Sequence, residues 1–265
     1  MTGIDPKRYS GFIDADRLDV LARGAADLKR RSHALMQLEP GHRALDVGCG
    51  PGIDTLALAE HVGPQGEVIG VDYDADMIAE ADARAQQAGV EAWVTHVHAD
   101  AGALPLPDGH VHACRSDRVF QHLPDPERAL AEMIRVTRRG GWIVVADPDQ
   151  GTMSIDTPEL DIERRLARVR AEVLFHNGFS GRRLRGQLLR HGLQDVAVEP
   201  YPLVVTDYGM LRQVDVFDRL EQVAVDFGVI TEDELRRWHE SLQRAEDEER
   251  FFAVGLYVVV AGRKP

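Results

Sequence analysis

The run Leu45–Gly52, LDVGCGPG, constrains the fold more than any other stretch of the chain. A strand-like segment, Arg43–Gly48, leads into glycines at alternating positions, and a helix-like pattern follows over Ile53–His61. Glycine is favoured where the backbone turns with positive φ or comes close to a ligand. The N-terminus of the following helix offers unpaired N–H groups and a positive dipole end. The pattern therefore predicts a strand, a tight turn and a helix arranged around a ligand.

Strand-like and helix-like patterns alternate from this run as far as Asp149. Single helices between successive strands indicate a parallel sheet that is covered on both faces. In such sheets, ligands bind beyond the carboxyl ends of the strands. The predicted strands are Arg43–Gly48, Glu67–Asp72, Ala92–His98, His110–Ser116 and Trp142–Asp147, and the predicted helices between them are Ile53–His61, Asp76–Ala88 and Asp125–Arg138.

The two ends of the chain carry further elements. Apolar positions at helical spacing predict an amphipathic helix over Asp14–Leu38, ahead of the first strand. Thr231 followed by Glu234 has the pattern of a capping box at a helix start. Beyond Asp149 we predict the helices Pro158–His176, Gly181–Leu189, Tyr208–Phe227 and Thr231–Glu246, and the strands Leu193–Val205 and Phe251–Ala261.

Together these patterns predict a single domain over residues 1–265. It would consist of an N-terminal helical cap (1–40), a ligand-binding core (41–150), and a lid of helices with a terminal strand pair (151–265). The fold class is α/β. We expect a Rossmann-like sheet of about seven strands, mostly parallel with an antiparallel terminal strand, and helices on both faces.

Charge and cysteine content exclude several classes of function. The formal net charge of −13 disfavours nucleic acid and anionic membrane surfaces as partners, since phosphate neutralisation needs a basic surface. The two cysteines, Cys49 and Cys114, lie in strand patterns and are expected to be buried as small hydrophobic residues. No CxxC motif occurs, so we expect neither a disulfide framework nor a metal site. Without an apolar signal core or a long apolar window, we expect a cytoplasmic protein.

Acidic residues follow the second and third predicted strands at the same sheet edge as the glycine loop. Asp72 comes about twenty residues after the glycines, where a carboxylate accepts hydrogen bonds from ribose hydroxyls. Asp100 is placed to accept from an adenine amino group, while the backbone N–H of Ala101 reaches a ring nitrogen. The alternative is a dinucleotide site, whose fingerprint is GxGxxG. The glycine spacing here differs, and Pro51 lies inside the loop, so a nucleoside without a pyrophosphate is favoured.

Four motifs in order resemble the class I S-adenosylmethionine-dependent methyltransferases. LDVGCGPG is similar to their first motif, VIGVDYD to the second and HADAGALPLPDG to the third. The run SDRVFQHLPDPERALAEMIRVTRRGGWIVVADPD resembles the fourth and fifth strand region of their small-molecule branch, which includes ubiquinone/menaquinone-type and sterol-type enzymes. The resemblance covers roughly residues 40–150. It implies the fold and S-adenosylmethionine as cofactor, but not the acceptor.

The resemblance implies that the glycine loop holds the methionine part and ribose of the cofactor. Backbone around Gly48, Gly50 and Gly52 is expected to pack against these groups. Asp46 is expected to hold the loop, or to reach the cofactor amino group through water.

The same resemblance implies an adenosine site at the ends of the next two strands. Asp72 would bind the ribose hydroxyls. Tyr73 and Met77 would flank the adenine ring, and Asp100 and Ala101 would read its polar edge.

The end of the fourth strand is implied to meet both the cofactor and the acceptor. Backbone carbonyls of Ser116 to Arg118 would contact the methionine amino group, although the Arg118 side chain has carboxylate pairing as an alternative. His122 is the candidate general base, because a neutral imidazole suits proton removal at pH 7. Its alternative role is ordering the loop or packing beside the cofactor. Asp147 and Asp149 are further candidates, each as a base or as a loop cap.

Acceptor choice is expected to lie outside the matched core. Tyr9 and His176 are the polar residues predicted to meet the acceptor. Aromatic residues could roof an apolar pocket for a small organic acceptor, with ordinary core packing as the alternative. They are Phe175, Phe179, Tyr201, Tyr208, Phe217 and Phe227.

The sequence thus predicts methyl transfer from S-adenosylmethionine to a small, largely apolar metabolite by aligned displacement. It does not decide between oxygen, nitrogen and carbon as the methylated atom. One alternative is a non-catalytic cofactor-binding module, which the intact set of motif residues disfavours. Another is a nicotinamide-dependent oxidoreductase, which the glycine spacing disfavours.

Overall fold

The computed structural model describes residues 26–214 and 216–265. The described residues form a seven-stranded sheet in the order β3-β2-β1-β4-β5-β7-β6. The strands are β1 (Arg43–Val47), β2 (Glu67–Asp72), β3 (Val94–His98), β4 (Val111–Asp117), β5 (Thr137–Ile155), β6 (Gln194–Val205) and β7 (Ala253–Arg263). Neighbouring strands are parallel except that β7 runs antiparallel to both β5 and β6. The predicted Rossmann-like α/β fold with an antiparallel terminal strand is therefore confirmed.

Helices surround this sheet and extend beyond it. They are α1 (Ala26–Leu35), α2 (Ile53–Val62), α3 (Ala75–Ala88), α4 (Pro126–Val136), α5 (Leu160–Val169), α6 (Ser180–Arg190), α7 (Tyr208–Val214), α8 (Phe217–Asp226) and α9 (Glu232–Asp247). A 3₁₀ turn, Phe120–His122, follows β4, and a π turn, Arg170–Leu174, continues α5. Within the described part of the chain, no helix is long and apolar enough to cross a lipid bilayer.

The buried side chains form a core on each face of the sheet. Successive residues of a strand point to opposite faces, so Leu45 joins one core and Ala44 the other. A separate apolar cluster holds the lid helices α5, α7, α8 and α9 together, with Trp238 fully buried in it. Cys49 and Cys114 are free and buried, as expected.

Several element boundaries differ from the sequence prediction, and the largest differences lie beyond the fourth strand. The fifth strand does not end at Asp147 but continues to Ile155, because its second half pairs with β7 across a register shift between Asp149 and Ser154. The predicted helix Tyr208–Phe227 is two helices, α7 and α8. Of the predicted helix Asp14–Leu38, the described part is α1, and the rest lies outside the described residues.

Candidate functional site

The glycine loop joins β1 to α2 with left-handed backbone at all three predicted glycines. The φ angles of Gly48, Gly50 and Gly52 are 74°, 52° and 81°. A Cβ at Gly48 would also lie 2.1 Å from Cγ2 of Val119, so the segment after β4 packs directly against this loop. Glycine is needed here for both reasons, since an L side chain would be strained and would clash.

Asp72, at the end of β2, ties the glycine loop to the next turn. One carboxylate oxygen accepts from the backbone N–H of Gly50 at 2.8 Å, and the other accepts from that of Asp74 at 2.9 Å. An ionised carboxylate has about four acceptor positions, so two protein donors leave capacity for a ligand. The residue is half-buried and lies at the predicted ligand edge of the sheet.

The predicted adenine contacts lie on the same edge. The Tyr73 side chain is 70% exposed, and Nε2 of His98 donates to the Tyr73 carbonyl at 2.8 Å. Met77 is half-buried on the first turn of α3. Asp100 is exposed, and it accepts from the N–H of Gly102 at 2.7 Å. Ala101, next to it, is partly buried.

The end of β4 packs against the end of β1. Ser116 is buried, and its hydroxyl donates to the Val47 carbonyl at 2.9 Å. Arg118 is a non-glycine residue at φ 61°, and its N–H donates to the Ala146 carbonyl at 2.9 Å. Its guanidinium Nε lies 3.8 Å from Asp117, so carboxylate pairing, the alternative role of its side chain, is what the structure shows.

A buried charge cluster lies beneath this edge, and no sequence motif marks it. The guanidinium of Arg115, fully buried on β4, lies 2.9 Å from Asp54, 3.4 Å from Asp46 and 3.3 Å from Asp117. Lys29 on α1 pairs with Asp54 and lies 3.2 Å from Asp117. These pairs fasten α1 to the sheet next to the glycine loop.

Two further groups complete the charge cluster. Nε2 of His33 on α1 donates to Asp54 at 2.8 Å, and the hydroxyl of Tyr257 on β7 donates to Asp117 at 2.6 Å. Burial alone would raise the pKa of Asp117, but Lys29, Arg118 and Arg115 together lower it to about 2. In the sequence, this cluster could have been recognised from charged residues at positions that face the core. The clearest of them is Arg115, within the strand Val111–Asp117.

Asp46 makes a different contact from the one expected. Its carboxylate points to the α1 and α2 face of the sheet, is 2% exposed, and pairs with Arg115 rather than with the backbone of the glycine loop. Burial raises the pKa of Asp46 to about 7, although the cation of Arg115 opposes that rise. Asp46 therefore belongs to the buried charge cluster rather than holding the loop through its side chain, and its contact with the cofactor amino group through water stays a prediction.

His122 and His176 lie near each other across the boundary between core and lid. The His122 ring centroid is 5.4 Å from that of Phe175. Burial, with the nearby His176 and Arg118, lowers the pKa of His122 to about 4, so its imidazole is neutral at pH 7. His176 is exposed. Tyr9, the other predicted acceptor contact, lies outside the described residues.

Asn177 fastens the lid to the turn that carries His122. Its backbone N–H donates to the Gln121 carbonyl at 2.9 Å, and its side-chain amide donates to the carbonyls of Phe120 and Leu123. The position of the predicted base is therefore set by a lid residue.

The two acids at the end of β5 have different surroundings. Asp149 caps a turn, accepting from the N–H of Gly151 at 3.1 Å, and forms a two-point pair with Arg182. Asp147 is 0% exposed, and no hydrogen bond of normal geometry reaches its carboxylate oxygens from residues 26–214 and 216–265, although the Ser180 side chain and the Gln121 backbone lie near enough to oppose the rise in its pKa. Burial raises the pKa of Asp147 well above its ordinary value.

Three of the six aromatic residues pack within the apolar cluster of the lid. Phe175, Tyr208 and Phe217 are buried in the lid's own apolar cluster. The Phe179 ring faces the guanidinium of Arg182, 4.9 Å from it. The Tyr201 hydroxyl donates to Glu199 at 2.8 Å, and Phe227 is 45% exposed. Core packing, the alternative to a pocket roof, thus accounts for the first three.

Comparison with known proteins finds methyltransferases among the relatives of this chain. Residues 45–145 match the family described as "Methyltransferase domain". An uncharacterized 37.1 kDa protein in transposon TN4556 of Streptomyces fradiae is 38% identical over 251 residues, which cover 94% of this chain and 71% of that protein. A demethylmenaquinone methyltransferase of Anoxybacillus flavithermus is 37% identical over 118 residues, covering 44% of this chain and 49% of the enzyme. The chain thus spans about half the length of that relative.

The fold is shared with a solved structure. A proposed methyltransferase from Bacillus halodurans C-125 matches with a TM-score of 0.64 at 18% identity, covering 89% of this chain and 98% of that one. At this identity the likeness concerns the fold.

Proposed function

Because the chain belongs to the class I S-adenosylmethionine-dependent methyltransferases, we propose that it methylates a small, largely apolar metabolite beneath its lid helices. The observation that carries the proposal is the Asp72 carboxylate. It is fixed by the N–H groups of Gly50 and Asp74, and the exposed Tyr73 ring lies directly after it in the chain. A fixed acceptor next to an uncovered aromatic ring suits a ribose and its base. This arrangement favours a cofactor site at this edge of the sheet.

The residues of this edge fit S-adenosylmethionine chemically. Asp72 has acceptor capacity left for ribose hydroxyls, and Asp100 is exposed with one oxygen on a backbone N–H. Tyr73 and Met77 would flank the adenine. Backbone at Gly48 to Gly52 and the Arg118 carbonyl would hold the methionine part.

When bound, S-adenosylmethionine supplies an electrophilic methyl group on a sulfonium. The chain's part is to align the acceptor, to exclude water and, where the nucleophile begins protonated, to accept its proton. His122 would accept that proton, because its imidazole is neutral and lies on the turn next to the glycine-loop contact Val119. His176 and Tyr9 are proposed to contact the acceptor.

A small acceptor without several negative charges is favoured by the charge of the chain. The net charge of −13 disfavours a polyanionic acceptor. The similarity to demethylmenaquinone methyltransferase extends over less than half of this chain, so the acceptor named for that enzyme is not transferred.

The proposal is tested first by calorimetry with S-adenosylmethionine and then by transfer of a labelled methyl group to a metabolite extract. Binding and a labelled small product are expected. Absence of cofactor binding by the unmodified protein would reject the proposal, and binding without any transfer would favour a non-catalytic module. Fluorescence titration with reduced nicotinamide cofactor should show no binding.

A further inference from the structure

A chain of three side-chain hydrogen bonds runs from the lid to the cofactor edge. Nε of Arg170, on the π turn, donates to Oε1 of Gln150 at 2.7 Å. Nε2 of Gln150, on β5, donates to Oε1 of Gln121 at 2.7 Å. Nε2 of Gln121, on the 3₁₀ turn, donates to the backbone carbonyl of Arg118 at 3.3 Å. We refer to Arg170, Gln150, Gln121 and the Arg118 carbonyl as the amide relay.

Arg170, at the lid end of the amide relay, determines which atoms of the two glutamines donate and which accept. A guanidinium has only donors, so the atom of Gln150 that faces Arg170 must be its carbonyl oxygen. The amide nitrogen of Gln150 then faces Gln121, whose oxygen must accept. Gln121 is left with its nitrogen toward Arg118, where a carbonyl can only accept. Each glutamine therefore has one orientation that satisfies both of its neighbours.

Burial makes this orientation costly to reverse. Arg170, Gln150 and Gln121 are all at least nine-tenths buried, and the Arg170 guanidinium also lies over the ring of Phe217 at 5.7 Å. A reversed amide would set two acceptors or two donors against each other where water cannot replace the lost bond.

The amide relay ends on a backbone conformation that needs support. Arg118 is at φ 61°, a region that non-glycine residues adopt only where their surroundings hold them there. Its N–H is held by the Ala146 carbonyl on β5, and its own carbonyl is held by Gln121. The two bonds together fix the peptide on either side of this residue.

We propose that Gln121 and Gln150 are positioning residues that aim the Arg118 carbonyl at the ammonium group of the cofactor's methionine part. The inference rests on the proposed function, because it assigns these glutamines to the same cofactor site. A carbonyl can accept a second hydrogen bond, so Gln121 would orient the group without using up its capacity. Arg170 sets the polarity of the glutamines from inside the lid.

Gln150→Glu tests the direction of the amide relay with almost no change in shape. The introduced carboxylate would still accept from Arg170, now as an ion pair, but it could not donate to Gln121. Gln121 would turn its amide nitrogen toward that carboxylate and present its oxygen to the Arg118 carbonyl. We expect S-adenosylhomocysteine to bind about ten-fold more weakly in calorimetry, while the thermal unfolding midpoint falls only slightly, because the new ion pair with Arg170 offsets part of the cost of the contact between the two oxygens.

Gln243→Glu on α9 is the matched control, since it adds the same charge at an exposed position. It should leave the affinity for S-adenosylhomocysteine unchanged. Gln121→Met, which removes the last donor, provides a second variant and should also weaken binding about ten-fold.

The outcomes separate the two ideas. If the unmodified protein does not bind S-adenosylhomocysteine, the proposed function fails. If it binds, and folded Gln150→Glu or Gln121→Met binds equally well, the amide relay has no positioning role and the proposed function stands. If both variants lost affinity and also had a much lower unfolding midpoint, the affinity loss would reflect general destabilisation. That result would also overturn the positioning role.

Discussion

The carboxylate of Asp72 accepts a hydrogen bond from the backbone N–H of Gly50 at 2.8 Å, which joins the end of β2 to the glycine loop. Its second oxygen accepts from Asp74, at the start of the next helix. A single side chain thus orders the loop and the turn on either side of it. The ribose site is consequently shaped by the same carboxylate that is proposed to bind the ribose.

Asp72→Ala is expected to weaken S-adenosylhomocysteine binding by about 100-fold. A hydrogen bond to a charged group contributes about 1.5–3 kcal/mol, and each 1.4 kcal/mol is tenfold in affinity. Titration calorimetry measures the loss. Asp74→Ala is the control, because Asp74 caps α3 through the N–H groups of Asp76 and Met77 and should lose helix stability with little change in affinity. Equal affinity losses in the two variants would contradict a ribose contact by Asp72.

His122→Ala is expected to lower kcat by at least about 100-fold while leaving the affinity for S-adenosylhomocysteine intact. The reason is that the imidazole would act on the acceptor's proton rather than on the cofactor. Once an acceptor is found, single-turnover kinetics with labelled cofactor measures the rate. His61→Ala, on the exposed side of α2, is the control and should react at the normal rate. An unchanged rate in His122→Ala would leave His122 with a loop-ordering role.

The pH profile of kcat offers an independent check on His122. Because the pKa of His122 is lowered to about 4, the imidazole is neutral and able to accept a proton throughout pH 5–8. The rate should therefore fall only as pH drops through about 4. In His122→Ala this acidic limb should be absent. A limb near the ordinary histidine value of 6.5 in the unmodified enzyme would show that the imidazole is not desolvated as the structure has it.

Local patterns explain what the sequence could predict. The strand Glu67–Asp72 has the predicted bounds, since Gly66 precedes it and an acidic turn follows it. The capping box of Thr231 and Glu234 is present, because both of its hydrogen bonds lie within one turn. The glycine loop likewise depends on residues next to one another in the chain.

Long-range partners explain what it could not predict. Asp46 and Arg115 are 69 positions apart, and no periodicity relates them. The extension of β5 past Pro148 depends on β7, about a hundred residues later in the chain. The amide relay joins Gln121, Gln150 and Arg170 through contacts that only the folded lid creates.

Arg115→Met is expected to destabilise the fold by about 3–5 kcal/mol, because it leaves buried carboxylates without their shared cation. Asp46, Asp54 and Asp117 all lie within 3.4 Å of the guanidinium. Urea unfolding followed by circular dichroism measures the change. Arg31→Met removes a surface pair with Glu199 and should cause no comparable loss. If the two variants were equally stable, the buried charge cluster would not be holding α1 and the sheet together.

Asp147→Asn is expected to raise the free energy of unfolding above that of the unmodified protein, and to do so more at pH 8 than at pH 5. The gain is on the order of 1–3 kcal/mol, as for removal of an unsatisfied buried group. Burial raises the folded-state pKa of Asp147 above its ordinary value of 3.8, so the folded protein holds the proton more tightly than the unfolded chain. In the unmodified protein, the contribution of Asp147 to the free energy of unfolding is therefore fully present below about pH 4. It declines as the pH rises toward the folded-state pKa. Asparagine does not ionise and lacks that decline.

Urea unfolding at pH 5 and pH 8 gives the comparison, because the contribution of Asp46, whose pKa is also raised, is common to both proteins and cancels. Asp149→Asn is the matched control. It weakens the pair with Arg182 and should be less stable than the unmodified protein at both pH values. A stability difference for Asp147→Asn that did not grow with pH would mean that the Asp147 carboxyl is ionised and satisfied in the folded protein.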